Sequence, residues 1–271
     1  MDKSTYSGSA VQLQVLVCTK GADGIQRVAS RSYPRVDGVE YLVSWQIPDG
    51  DAPVPTELYR QDIRVVRVNS VGLSNNRNNA LRCSSAPLLL IADDDVDYSA
   101  EGLKGVLEAF RTHPECDCLT FMFDGATKKY PDRACFFPVR TKGYFVTSFE
   151  LALRSAPVKG KVEFDPRFGI GAEFSFGEEE IFLHECLRRG LTACFIPLVI
   201  TSHKHSTTAV RMADSPELIV TKGAVFFRMK PYLWPLYMIS HAFRVARRSG
   251  MRSGVRYCRL WLRGVRRYIK K

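Results

Sequence analysis

LLLIADDDVDY, Leu88 to Tyr98, runs four apolar residues and an alanine into three adjacent aspartates, with a fourth two positions on. Two carboxylates ~5 Å apart at an effective dielectric of ~20 repel by roughly 3 kcal/mol, so a strand ending in such charge needs a partner for it. In an extended chain Asp93 and Asp95 project to one side and Asp94 to the other. Ligands of open α/β sheets bind beyond the carboxyl ends of the strands. A divalent cation relieves a carboxylate pair there, and Mg²⁺ favours one or two protein carboxylates completed by substrate phosphates and water. The stretch therefore reads as a metal–phosphate site on Asp93 and Asp95. Asp97 reads as a helix cap.

The flanking segments supply the scaffold. Leu13–Thr19, Glu40–Trp45 and Asp62–Val68 are predicted strands, each closed by turn-rich sequence. After the aspartates, Ser99 is placed to cap a helix running to Thr112 and stopped by His113-Pro114. Leu119–Phe123 and Gly143–Leu153 read as strands, and Gly177–Gly190 as a helix with acids in its first turn and arginines in its last. Strands alternating with helices predict an α/β fold with a mainly parallel sheet flanked by helices.

Charge divides the chain of 271 residues unevenly. Its net charge is +11, yet no acidic residue follows Glu217, while 14 lysines and arginines lie between Lys222 and Lys271. The first 217 residues hold 25 basic against 28 acidic side chains, so the cationic character belongs to the tail. Eight scattered cysteines include one CxC, Cys116 and Cys118, without the second pair a zinc site needs. With no signal-peptide pattern at the N-terminus and no apolar run of ~18 residues, the expectation is a cytoplasmic protein with reduced thiols.

Further motifs lie in order around the aspartates: VNSVGLSNNRNNAL (68–81) before them, then FDPRFGIGAEFSFGEEEIFLHECLRRG (164–190), HSTT (205–208) and TKGAVF (221–226). Together they resemble the family 2 glycosyltransferases of the GT-A fold, over residues 13 to 228, and look closest to a bacterial branch associated with surface polysaccharide assembly. The resemblance implies a Rossmann-like GT-A domain at 1–228 that transfers a sugar, with inversion, from a nucleotide diphosphate donor to a saccharide or lipid-linked hydroxyl. It implies Mn²⁺ or Mg²⁺ as cofactor, on Asp95 with Asp93. Asp94 or Asp93 would reach the ribose. Thr19, Asn69, Gly72, Ser74, Arg77 and Asn78 match the nucleotide-lining positions. Gln46 stands where many members carry a base-reading acid. Alternatives are a sugar nucleotidyltransferase, for which CTKGADGIQR is a poor phosphate loop, a haloacid dehalogenase-type phosphatase, and a non-enzymatic nucleic-acid-binding protein.

Inverting transfer needs a carboxylate that takes the proton from the attacking hydroxyl. Alignment of Glu178-Glu179 with the family's Glu-Asp pair puts the base at Glu179, with Glu178 orienting base or acceptor or, as the alternative, serving as the base itself, and leaves Glu180 as a solvated helix residue. His203, with His205 as alternative, falls where related folds take a metal or diphosphate contact. Residues 229–271 read as a basic, aromatic helical extension. Tyr257, Leu260, Trp261, Gly264, Val265 and Tyr268 fall along one side, a pattern that suits an anionic membrane surface on the inner face of the cell membrane. Trp234 or Trp261 is expected to insert there.

Overall fold

The structure is a computed structural model, which describes residues 11–47, 52–202 and 215–270. Four strands open the fold: β1 (Leu13–Lys20), β2 (Val39–Gln46), β3 (Ile63–Val68) and β4 (Leu88–Asp93). They pair in parallel in the order β3-β2-β1-β4. Seven consecutive residues of β1 are buried, as a strand covered on both faces requires. Val15, Val17, Val43 and Leu90 pack on one face against Ile25 and Val28 of α1 (Gly21–Ala29) and Leu103 and Val106 of α3 (Ala100–Thr112). Leu16, Leu42, Leu89 and Ile91 pack on the other against Ala80 and Leu81 of α2 (Leu73–Cys83) and Phe182 and Leu183 of α5 (Glu178–Arg188).

Beyond β4 short antiparallel pairings join a sheet whose long pairings are parallel, as expected. β8 (Leu151–Arg154) runs antiparallel between β4 and β6 (Cys118–Asp124), and β9 (Ala193–Ser202) pairs in parallel with β6. The two-residue strands β5 (Asp97–Tyr98) and β7 (Cys135–Phe136) both run antiparallel to β9. Cys116 and Cys118 enter the hydrophobic layers on opposite sides of the sheet, and all eight cysteines are free thiols.

The single strand expected over Gly143–Leu153 forms only from Leu151. Ahead of it Ser148–Glu150 close into a 3-10 turn under a capping box, in which the Glu150 carboxylate accepts from the Thr147 backbone at 3.1 Å while the Thr147 side chain bonds the turn. Glu150 is buried and also accepts from Tyr130 Oη at 2.5 Å and from Lys128. A buried carboxylate with this many donors outweighs two further ladder bonds. Ser99 caps α3 as expected, accepting from Gly102 N at 2.9 Å. Asp97 is not a cap: its carboxylate pairs with Arg31 at 2.7 Å and its carbonyl accepts from Thr201 Oγ1 at 2.6 Å.

The C-terminal segment is helical and packed on the body. It follows a four-residue helix α4 (Ser155–Val158) and the long helix α6 (Pro216–Met229), and comprises α7 (Trp234–Ser249) and α8 (Met251–Ile269). The stripe of Tyr257, Trp261, Gly264 and Val265 is buried, with Ile219, Phe226 and Phe227 of α6 packed against it. Trp261, expected to insert at an interface, is 0% exposed. Burying it against α6 removes more apolar surface from water than a solvent-facing stripe could. Among the described residues no helix is long and apolar enough to cross a membrane.

Two glycines make the packing of α8 on α6 possible. A Cβ on Gly223 would lie 2.2 Å from the Trp261 carbonyl oxygen, and one on Gly264 would lie 1.8 Å from that of Val220. Both obstacles are backbone, so neither can rotate away. Gly264→Ala should therefore lower unfolding stability by about 1–3 kcal/mol, as overpacking does, despite the better helix propensity of alanine. Arg263→Ala, on the exposed side, should leave the urea midpoint nearly unchanged. Equal midpoints for the two variants would contradict the close approach.

Candidate active site

The carboxyl ends of the four parallel strands lie along one edge. In register, Cys18 pairs with Asp93 and Lys20 with Gln46, so Thr19, Gln46 and Asp93 end neighbouring strands and Asn69 follows β3 directly. Thr19 Oγ1 donates to Asp94 Oδ2 at 2.6 Å, and Arg27 of α1 donates to Asp94 Oδ1 at 2.7 Å. Burial raises the Asp94 carboxyl, and these two donors pull it back down. Gln46 is buried and donates to Ser70 Oγ and to the Gly72 carbonyl, both at 3.0 Å.

Arg77 is the centre of the site. It is 1% exposed and sits on α2, where the turn at Gly72 (φ +94°) lets the chain enter the helix. Its Nη2 donates to Asp93 Oδ1 at 2.9 Å, and its Nη1 to Glu178 Oε1 at 2.9 Å, with Glu179 Oε1 at 3.4 Å. The guanidinium thus joins the end of β4 to the start of α5, a side chain more than a hundred residues away. Asp93 Oδ2 accepts from Ser148 Oγ at 3.0 Å, so the unexpected 3-10 turn braces the same carboxylate.

The neighbours of Arg77 on α2 divide their work. Asn76 donates to the Thr19 carbonyl at 2.9 Å. Ser74 donates to the Phe168 carbonyl at 2.7 Å, and Asn78 exchanges two bonds of 2.8 Å with the Phe164 main chain. Ser74 and Asn78, read from the sequence as nucleotide-lining, are buried and spend these polar atoms on holding the 164–176 segment. Asn69 is exposed and Gly72 is buried against Gly171.

The two carboxylates of α5 differ in setting. Glu178 is buried, and its Oε2 has no hydrogen-bond partner among the described residues. The Glu179 side chain is 17% exposed and is the more accessible of the pair. Burial, and next the Glu178 charge, push the Glu179 carboxyl up to about 8, with Arg77 opposing. The helix start is held from below: Gly177 has φ +98°, and Val225 of α6 lies 2.5 Å from where a Cβ would stand.

The aspartates fit a cation that arrives with a diphosphate. Both Asp93 oxygens already accept protein hydrogen bonds, while Asp95 is half-buried at the strand end. Among the described residues no three His, Cys, Asp or Glu side chains gather into a metal cage. An all-oxygen set with few protein carboxylates suits Mg²⁺ or Mn²⁺ completed by phosphate oxygens. His203 and His205 lie outside the described residues.

Sequence reading missed Arg27, Asn76 and Ser148, which hold Asp94, Thr19 and Asp93. A legible signal existed for the last: TSFE at 147–150 has the Ser/Thr-x-x-Glu spacing of a capping box. Since Arg77 is the cation paired with all three close carboxylates among the described residues, Arg77→Met should destabilise the fold by about 3–5 kcal/mol, the cost of stranding buried charge. Thermal unfolding reads this directly. A melting temperature within a degree or so of wild type would mean the carboxylates do not depend on the guanidinium.

Residues 48–159, less than half of the chain, match the family model described as Glycosyl transferase family 2. No curated protein sequence is detectably similar to the chain. Among solved structures, S. aureus TarS 1-349 in complex with UDP-GlcNAc superposes with a TM-score of 0.56 at 15% identity, covering 92% of this chain and 90% of that one. The mannosyltransferase PcManGT from Pyrobaculum calidifontis, in complex with GDP-Man and Mn²⁺, superposes at 0.54 with 12% identity, covering 92% and 74%. The protein thus has the GT-A glycosyltransferase fold, and its central segment matches glycosyltransferase family 2.

Proposed function

We propose that the protein is a metal-dependent inverting glycosyltransferase that moves a sugar from a nucleotide diphosphate donor to a hydroxyl of a saccharide or lipid-linked acceptor in surface polysaccharide synthesis, at the inner face of the cell membrane. The observation that carries this reading is the Arg77 bridge, which holds Asp93 at the end of β4 beside Glu178 and Glu179 at the start of α5. Charge for binding a diphosphate through a cation and a carboxylate for taking a proton then lie side by side. The family 2 segment and neighbours captured with UDP-GlcNAc and with GDP-Man and Mn²⁺ support it.

Each group has a defined task. Thr19, Gln46, Asn69 and Gly72 line the nucleoside side, and Asp94, fixed by Thr19 and Arg27, faces the ribose. Asp95, with Asp93, would hold Mn²⁺ or Mg²⁺, which when bound would neutralise charge building on the departing diphosphate. Glu179 takes the proton from the acceptor hydroxyl. Glu178, locked to Arg77, orients it. A carboxyl raised towards neutrality is a stronger base than an ordinary glutamate once it has lost its proton.

The metal dependence is open to calorimetry. Nucleoside diphosphate should bind in Mn²⁺ and lose most affinity in chelator, and Asp95→Ala should erase the difference. Equal affinity in metal and chelator would remove the cation from the proposal.

The base assignment carries a sign. Glu179 acts unprotonated, so kcat/KM should rise with pH up to and through the raised pKa of about 8 and fall on acidification, leaving a limb well above an ordinary glutamate's. Glu179→Gln should keep donor affinity, lower turnover by ~10²-fold or more, and flatten that limb. Normal turnover in Glu179→Gln with a dead Glu178→Gln would transfer the role by one residue.

A further inference from the structure

With Trp261 and its stripe buried, the hairpin of α7 and α8 presents different residues to its surroundings. On α7, Leu236, Ile239 and Phe243 are 64%, 59% and 62% exposed. Their spacing of three and four residues sets them on one face. Tyr232, just ahead of the helix, is 92% exposed. Four large apolar side chains along one helical edge are unusual for a surface that meets only water.

The outer side of α8 is a row of cations. Arg252, Arg256, Arg259, Arg263, Arg266 and Lys270 are all exposed. Steps of four and three residues keep all six on the side opposite Tyr257, Trp261 and Val265. At 1.5 Å per residue the row is about 27 Å long. Arg267 alone turns inward, to Glu173 and Glu217. No acid follows Glu217, so nothing within the hairpin neutralises the row.

We propose that this hairpin docks on an anionic lipid surface, with α7 inserting Leu236, Ile239 and Phe243 and α8 laying its cation row on the headgroups. Aliphatic insertion beside uncompensated arginine is the chemistry of an interfacial helix. A second copy of the chain fits poorly, because joining the apolar faces brings two cation rows together. Nucleic acid fits the α8 row poorly: stacking needs accessible aromatics among the cations, and Tyr257 and Trp261 of α8 are buried, the exposed Tyr232 and Phe243 lying outside that row. The inference concerns a surface away from the Arg77 cleft and stands whatever reaction that cleft performs.

The test is sedimentation of the full chain with phosphatidylcholine vesicles, with and without phosphatidylglycerol, across a salt series. The wild type should pellet with the anionic vesicles only, and less as salt shortens the Debye length. The combined Leu236→Ser, Ile239→Ser and Phe243→Ser variant should bind at least about tenfold more weakly. The combined Arg256→Gln, Arg259→Gln and Arg263→Gln variant should lose roughly a hundredfold. All six positions are exposed, so both variants should keep the wild-type melting temperature, which is measured alongside. Anionic-vesicle binding unaffected by either set overturns the proposal. So does retention on single-stranded RNA without vesicle binding, or a dimer that the α7 variant dissociates while vesicles bind nothing.

Discussion

A single guanidinium among three carboxylates is the constraint around which this fold closes. Bringing Asp93, Glu178 and Glu179 together without a cation would be prohibitive, and a solvent-exposed cation would be screened to little value. Arg77, almost wholly enclosed, meets the need from α2, reaching Asp93 at the end of β4 and both acids at the start of α5. Its placement explains the neighbours as well. Asn76 ties α2 to β1, while Ser74 and Asn78 tie it to the 164–176 segment. The helix that carries the charge is anchored on both sides of it.

That arrangement also accounts for the late start of β8. A strand running from Gly143 would carry Ser148 past Asp93, whereas the observed turn puts its hydroxyl on the carboxylate. The turn depends on Glu150, which in turn depends on Lys128, set within 5.6 Å of the rings of Phe123, Tyr130, Tyr144 and Phe145. A buried ion pair inside an aromatic shell, remote in sequence from the DDD stretch, thereby orients one of its members.

Local pattern disclosed what is locally determined. The parallel strands, the Ser99 cap and the helix opening at Glu178 follow from apolar runs and capping chemistry within a few residues. Charge repulsion at Asp93–Asp95 pointed to the sheet edge where Thr19, Gln46 and Asp93 end neighbouring strands. What stayed hidden is long-range. No window around Ser148 reports that Asp93 lies 3.0 Å away, and no window around Arg77 reports that three protein carboxylates occupy its fork. The tail shows the same limit from another side. Its apolar stripe and cationic stripe were legible, but which would find a partner depended on two glycines, Gly223 and Gly264, that let α6 and α8 touch backbone to backbone.

The contact between Gly177 and Val225 gives that packing a mechanical meaning. The helix bearing Glu178 and Glu179 starts against α6, α6 rests on α8, and the last turn of α8 grips the 164–176 segment through Arg167 and Tyr268. An extension joined this way is a strut rather than a tether. Seated on a bilayer as proposed, it would set the height and tilt at which the Arg77 site stands above the lipid. Under the proposed function an acceptor hydroxyl would have to come to that height, so substrates would be selected by their reach from the membrane as well as by their chemistry, like a ruler with one graduation.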